Sequence, residues 1–480
     1  MRTGRAMPLN VRVHKSGLRV PGLLVMWLPA LFSLLVGACT VVVSPRGPLT
    51  AADALQEVEA HLAFLSTPTG TGSAVLLEDG RLITNAHVVD PFGSVEVTFA
   101  DGEVFEDVPV IGTDPGSDLA LLGPLPEQRR GTTLHSGGEL DLGSVVYLAG
   151  YPLQFNNDED PQLTISQGIL SRRRSVDQPS EQRWLQTDAM IAGGQSGGAL
   201  LDARGRVIGI SGLGIEGFAL ALDGADVQRS IEAIGAGQTE PRLPFPDEDA
   251  EEAATNGSVR LSDARSELTL MAYVSEDSTV ELRFDPQSRP TLHAHTLEGE
   301  FLWPPDEDPF AEDPATPATP DTLDTPDTAP RTTFEFDVPA NSHLVIFVGD
   351  ERPDAATIGW SSSIPLVARA DEDDGTSVDG EDTISGILGL HEIQDIYLVD
   401  LEEGDELRVG VAAGPGDAAV SIEAPGDDRF GSWYTDDSDV GLIGHDAEDT
   451  FVAERSGLHR VMVSSPDAMP MGYTLTLNRG

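Results

Sequence analysis

The chain has 480 residues, enough for two to four domains. It carries 80 Asp and Glu against 29 Lys and Arg, a formal net charge of −51, which excludes a nucleic-acid-binding role built on phosphate contacts. The one cysteine, Cys39, excludes an intrachain disulfide.

Residues 1–39 read as an export signal. Arg2, Arg5, Arg12, Lys15 and Arg19 precede an apolar run from Val20 to Val36, and small residues then lead to Cys39. Val36-Gly37-Ala38-Cys39 resembles the lipobox of bacterial lipoproteins, with Val36 where Leu is usual. The resemblance implies acylation of Cys39 and a membrane tie through that lipid. Thr40, in place of an inner-membrane-retaining Asp, points to the outer membrane of a bacterial envelope. Residues 40–54 read as a tether.

Ala51 to Leu65 has helical apolar spacing, with Leu55, Val58, Leu62 and Leu65 on one face. From Gly70 to Ile215 the pattern changes to short apolar runs broken by Gly, Pro and Asp, among them Val95 to Phe99, Val145 to Leu148 and Val207 to Ile210. Such runs predict an all-β barrel or sandwich. Thr164 to Leu170 reads as a strand and Arg172-Arg173-Arg174 as a surface loop after it. Asp223 to Ile234 reads as a closing helix. Together residues 55–235 form the first folded domain.

An acidic linker, 236–256, follows. The remainder is β-patterned and far more acidic. Residues 240–480 hold 53 Asp and Glu against 13 Arg, so this half carries 40 of the 51 net negative charges. That excess reads as a solubilising, self-repelling surface. Two β-sandwich-like domains are expected, at 257–370 and 378–480. The first is interrupted by a Pro/Asp/Thr tract, 303–331, too poor in apolar residues to fold.

Chemistry concentrates in three segments. These are Thr84-Asn85-Ala86-His87-Val88-Val89, Asp118-Leu119-Ala120-Leu121-Leu122 and Gly194-Gln195-Ser196-Gly197-Gly198-Ala199-Leu200. A serine hydroxyl is a poor nucleophile at neutral pH until an imidazole takes its proton and a carboxylate orients the imidazole. His87, Asp118 and Ser196 supply that set. Glycines around Ser196 allow a sharp turn and close substrate approach, and leave the amides of Gly194 and Ser196 free to receive an oxyanion.

With these motifs residues 70–235 resemble trypsin-fold serine peptidases of the Deg/HtrA branch, through Gly72-Ser73-Ala74-Val75, Leu82 to Val89, Asp118 to Leu122, Gln186-Thr187-Asp188-Ala189, Gly194 to Leu200 and Gly217-Phe218-Ala219-Leu220. The resemblance implies two six-stranded barrels with the active site between them. It makes His87 the general base, Asp118 its orienting group and Ser196 the nucleophile. It also puts Met190 at the floor of the pocket for the residue before the cut, with Ser211, Gly212 and Leu213 along its wall. No acid occupies that floor, so a small or medium apolar side chain is expected there. Gln195 stands where Asn is commoner, and Ala192-Gly193 replaces Asn-Pro or Asn-Arg, which predicts a mobile oxyanion loop. No PDZ pattern is visible after Ile234. Residues 378–480 resemble bacterial pre-peptidase C-terminal domains, through Asp395-Ile396-Tyr397, the Gly404-Asp405 and Ser456-Gly457 turns and Gly472-Tyr473.

The expected function is that of an exported serine endopeptidase acting on unfolded or envelope polypeptides, without metal or organic cofactor. The oligomeric state is left open. The alternative is a catalytically silent surface protein whose acidic sandwiches bind a partner; a third reading is an esterase-like hydrolase. His293-Ala294-His295 has zinc-ligand spacing but lacks a third ligand nearby. Asp371-Glu372-Asp373-Asp374, with Asp379 and Asp382, lacks the calcium-loop spacing. Both read as surface.

Overall fold

The computed structural model describes residues 48–480 apart from 127–128, 154–160, 177–180, 216, 240–243, 249, 261–266, 287–288, 299, 304–331, 351–356, 370–374, 389–393, 414–417, 426–432, 437–445 and 466–470. The leader, Cys39, all but the first residue of the Pro/Asp/Thr tract and the Asp371–Asp374 run lie outside the described residues.

Twelve strands build two barrels. The first contains β1 (Leu62–Thr67), β2 (Gly70–Leu76), β3 (Leu82–Thr84), β4 (Ser94–Phe99), β5 (Val104–Asp114) and β6 (Leu119–Leu122), closed in the order β1-β2-β3-β6-β5-β4. The second contains β7 (Val145–Gly150), β8 (Thr164–Val176), β9 (Gln182–Thr187), β10 (Ala199–Asp202), β11 (Val207–Ile215) and β12 (Phe218–Asp223), closed as β10-β11-β12-β9-β8-β7. Closure pairs every backbone edge within each barrel. The all-β, double-barrel expectation is met.

Each barrel has its own core. Leu65, Leu76, Val97, Phe99 and Leu122 fill the first, and Leu148, Leu170, Leu185, Leu200 and Ile208 the second. A third cluster spans the seam, where Leu62, Phe64, Val75 and Leu121 of one barrel meet Tyr147, Tyr151, Trp184 and Leu220 of the other. Phe64 and Tyr151 pack edge to face, centroids 5.8 Å apart. This seam is buried and apolar, so it fixes where loops of one barrel stand relative to the other.

Two helices clasp the seam. Ala51–Val58 starts at a capping box, in which the Asp53 amide donates to Thr50 Oγ1 at 3.2 Å and the Thr50 amide to the Asp53 carboxylate. It buries Ala54 and Val58. The helix stops there, and Leu62–Leu65, expected on its face, belong instead to β1. All four residues from Leu62 to Leu65 are buried, because β1 sits between β2 and β4 with both faces covered. Gly224–Gly235 closes the unit as expected, with Asp223 accepting from the Ala225 amide and Val227, Ile231 and Ile234 buried. Arg172–Arg174 do not form a loop. They continue β8, paired with Gln186, Leu185 and Trp184 of β9.

Beyond the barrels, residues 254–369 form an eight-stranded sheet threaded through the long strand Thr357–Arg369, which pairs with Ala254–Arg260 and Ser278–Phe284 at its start and Glu267–Val274 at its end. Trp303, expected in the unfolded tract, belongs to the strand Phe301–Trp303 and packs on Phe334. Residues 376–479 form a five-stranded and a four-stranded sheet. Val399, Val420 and Val461 of one share a core with Val409, Val411 and Leu475 of the other, the packing of a sandwich.

Candidate active site

His87 lies on the single-turn helix Ala86–Val89, held by the burial of Ala86, Val88 and Val89. Its backbone N–H donates to Asp118 Oδ1 at 3.0 Å and its Nδ1 lies 2.7 Å from Asp118 Oδ2. A carboxylate can only accept, so Nδ1 carries the proton and Nε2 is left as the basic nitrogen. Burial alone would lower this imidazole's pKa. The Asp118 charge and hydrogen bond outweigh it and hold the pKa above the ordinary value.

Asp118 is fully buried and follows the 3-10 turn Pro115–Ser117. Its backbone is left-handed, with φ 49° and ψ 49°, a conformation Asp tolerates better than most residues yet one that costs on the order of 1–3 kcal/mol. The surroundings impose it. The Asp118 carbonyl accepts from Asn85 Nδ2 at 2.8 Å and the Ala86 amide at 3.1 Å. The two segments of the first barrel that carry the pair are therefore bonded through both backbone and side chain.

Ser196 comes from the second barrel, on the turn between β9 and β10. Gly194 has φ +88°, and a Cβ there would lie 2.6 Å from the Leu153 nitrogen and the Tyr151 oxygen. Gly197 has φ +81°, and a Cβ there would lie 2.0 Å from the Ser73 oxygen. Only glycine fits either position. Ser73 ties the turn to the first barrel. Its amide donates to the Ser196 carbonyl at 2.8 Å and its hydroxyl to the Gly194 carbonyl at 2.9 Å. The Gln195 side chain accepts from the Ala192 amide at 2.9 Å, and Ser211 Oγ donates to the Gln195 carbonyl at 2.8 Å. The roles of Ser73 and Gln195 in holding this turn escaped the sequence reading.

The amides of Gly194 and Ser196 donate to no described residue. Ser196 Oγ and His87 Nε2 likewise hydrogen-bond none, so the serine–imidazole bond is open. Such bonds are commonly long in free enzymes and tighten when substrate binds.

A cleft of about 550 Å³ adjoins Ser196, lined by Asp188, Met190, Ile191, Ala192, Gly193, Gly212, Gly214, Gly217 and Phe218. Two expectations change here. Met190 lines the cleft but is 76 % exposed, so it is an open rim rather than a floor. Ser211 is wholly buried with its hydroxyl spent on Gln195, and Leu213 packs into the seam core; neither lines the cleft. Asp188, exposed, also borders the cleft, its Oδ1 accepting from the Ile169 amide at 2.7 Å. Gly212 lines the cleft.

A larger cavity, about 850 Å³, lies elsewhere among His135, Arg183, Arg204 and Arg206. Arg183 is paired with Asp226 and Arg206 with Asp202, and none of the three chemistry-bearing residues reaches it. His295 stacks on Phe347 at 5.7 Å, and burial, then the neighbouring His293, lowers its pKa. Among the described residues no group of three or more His, Cys, Asp or Glu could hold a metal. No helix among them is long and apolar enough to cross a membrane.

Residues 70–210 match the model of the trypsin-like peptidase domain. The serine endoprotease DegS of Haemophilus influenzae is 34% identical over 179 residues, 34% of this chain and 51% of that protein. A Chlamydia trachomatis protein described as a DegP-like periplasmic serine endoprotease is 33% identical over 144 residues, 30% of this chain and 27% of that protein. The solved HtrA-type protease AlgW with tripeptide aligns at 28% identity over 40% of this chain and 65% of that one, with a TM-score of 0.36. The chain spans about half or less of the curated relatives it matches. It carries a trypsin-like peptidase domain with Deg/HtrA homologues.

Proposed function

We propose that the chain is an exported serine endopeptidase that cuts polypeptides through an acyl-enzyme on Ser196. One observation carries the reading: a buried carboxylate 2.7 Å from the imidazole of His87, with two amides at the serine, contributed by the other barrel, that donate to none of the described residues. His87 Nε2 takes the Ser196 proton as Oγ attacks the scissile carbonyl. The resulting oxyanion accepts from the Gly194 and Ser196 amides, which are worth about 10²–10³-fold in rate per donor. The imidazolium, stabilised by Asp118, gives its proton to the leaving amine. Water then attacks the acyl ester with His87 again as base.

The finer parts belong to the same proposal. Cys39 is the lipidation site of an envelope protein, and the β units at 257–370 and 378–480 are separate domains. The second is pre-peptidase-like, a reading supported by Asp395, Tyr397 and Tyr473 of its motif, which join in one buried hydrogen-bonded group. Unfolded envelope proteins are the substrates. Exposed Leu153, Ile169, Met190 and Phe218 near the cleft support apolar segments as ligands. A small or medium apolar residue before the cut suits a cleft of glycines, Met190, Ile191 and Phe218, with Asp188 engaged by Ile169. Casein hydrolysis by wild type and not by Ser196→Ala tests the activity. A peptide library showing cleavage after Arg or Lys would remove the apolar preference.

A further inference from the structure

The two loops that carry His87 and Asp118 are each touched from outside the barrels. Phe92 follows the His87 helix, its amide donating to the Val89 carbonyl at 2.8 Å. Its ring meets His343 of the eight-stranded sheet edge to face at 5.1 Å. Phe245 and Tyr273 approach the same imidazole, both at 5.0 Å. Glu298 fixes it through Nδ1 at 2.7 Å. The Phe245 amide also donates to the Pro91 carbonyl at 2.8 Å, so chain leaving the barrels is stitched back onto the loop beyond His87.

On the other side, the last strand, Met471–Arg479, packs against the Pro115–Ser117 turn that sets the left-handed backbone of Asp118. Gly472 is the point of approach. A methyl group on it would lie 3.0 Å from the Gly116 Cα and 3.1 Å from its nitrogen. The turn cannot retreat freely, because the Gly116 carbonyl accepts from Gln182 Nε2 at 2.6 Å, and Ser117 Oγ lies 3.2 Å from both Gln182 Nε2 and Ser230 Oγ.

We infer that the two β units beyond the barrels hold the loops of His87 and Asp118 in register, with His343 and Gly472 as positioning residues for the histidine–aspartate pair. The catalytic consequence rests on the acyl-enzyme reading above; the positioning itself does not. A displaced Gly116 turn drags Asp118, lengthens its bond to Nδ1 and removes what holds the imidazole's pKa up. The half of the chain that bears most of the acid is then a support for the histidine–aspartate pair as well as a solubilising surface.

The test uses full-length protein and two readouts. One is the pH profile of fluorophosphonate labelling. The other is the low-field proton resonance of His87 Nδ1–H, which needs no turnover. Gly472→Val should slow labelling on the order of 100-fold, the cost of a misplacement near 1 Å, and Gly472→Ala several-fold. Both should move the acid limb to lower pH and the resonance upfield, as should His343→Ala. Gly404→Ala, in the same unit, meets nothing within 4 Å but strains a backbone at φ +95°; it should destabilise the unit and yet do neither, which separates positioning from general destabilisation. If Gly472→Val does not fold, Gly472→Ala and Phe92→Leu carry the same readouts. Unchanged labelling and resonance in folded Gly472 and His343 variants overturn the inference. A resonance that shifts in a wild-type background that never labels keeps the positioning and discards the peptidase.

Discussion

The barrels and the acidic sheets beyond them handle charge in opposite ways. In the barrels two carboxylates are buried whole: Asp118 accepts from the His87 amide and imidazole, and Asp223 from the Gly137 and Ala225 amides and Ser136 Oγ. In the eight-stranded sheet, among the described residues, charge points outward. The strand Thr333–Val338 alternates strictly, with Glu335 and Asp337 exposed while Phe334, Phe336 and Val338 fill the core. A net −40 in that half therefore coexists with an ordinary apolar interior. Charge count alone says little about chemistry; burial and partners decide it.

The largest effect should come from the inward charge. Asp118→Asn should lower kcat about 10⁴-fold, since the amide favours the wrong imidazole tautomer; steady-state kinetics on casein-derived peptides would measure it. In the outer half the sensitive group is apolar: Phe336→Ala should cost about 3–5 kcal/mol in denaturant unfolding of the sheet. Gly194→Ala should lose about 10²–10³-fold in kcat with modest change in KM, because its Cβ would collide with the Tyr151 and Leu153 backbone and turn the oxyanion amide away.

The pH profile sharpens the contrast further. Only neutral His87 can accept the serine proton, so activity rises with pH through its pKa. Asp118 raises that pKa, so the acid limb should have its midpoint above the ordinary imidazole value of 6.5, and Asp118→Asn should move it down. Smallest of all, Asp337→Asn on the solvated face, despite its bond from Thr279 Oγ1 at 2.7 Å, should change stability by no more than about 0.5 kcal/mol.

The sequence made the chemistry legible because the chemistry admits few residues. Gly194 and Gly197 are needed for positive φ and close backbone approach, and Asp for a left-handed orienting position. The closing helix was legible from its cap and stripe. Other readings failed for physical reasons. Leu62–Leu65 fits a helical stripe and a doubly buried strand equally well, because periodicity vanishes when both faces are covered. Arg172–Arg174 looked like a loop because charge runs usually are, yet β9 pairs with them and their side chains alternate between faces. Met190, assigned by analogy to a floor, sits on a rim. Ser73, Gln195, His343 and Gly472 act across long sequence separations that no local pattern encodes.

The central claim is that Ser196 is an activated nucleophile. Intact-mass analysis of the full chain after brief fluorophosphonate exposure measures this directly. The account predicts one adduct, mapped to Ser196, in wild type and none in His87→Ala; folded wild-type protein that stays unmodified, or an adduct undiminished by loss of His87, would contradict it.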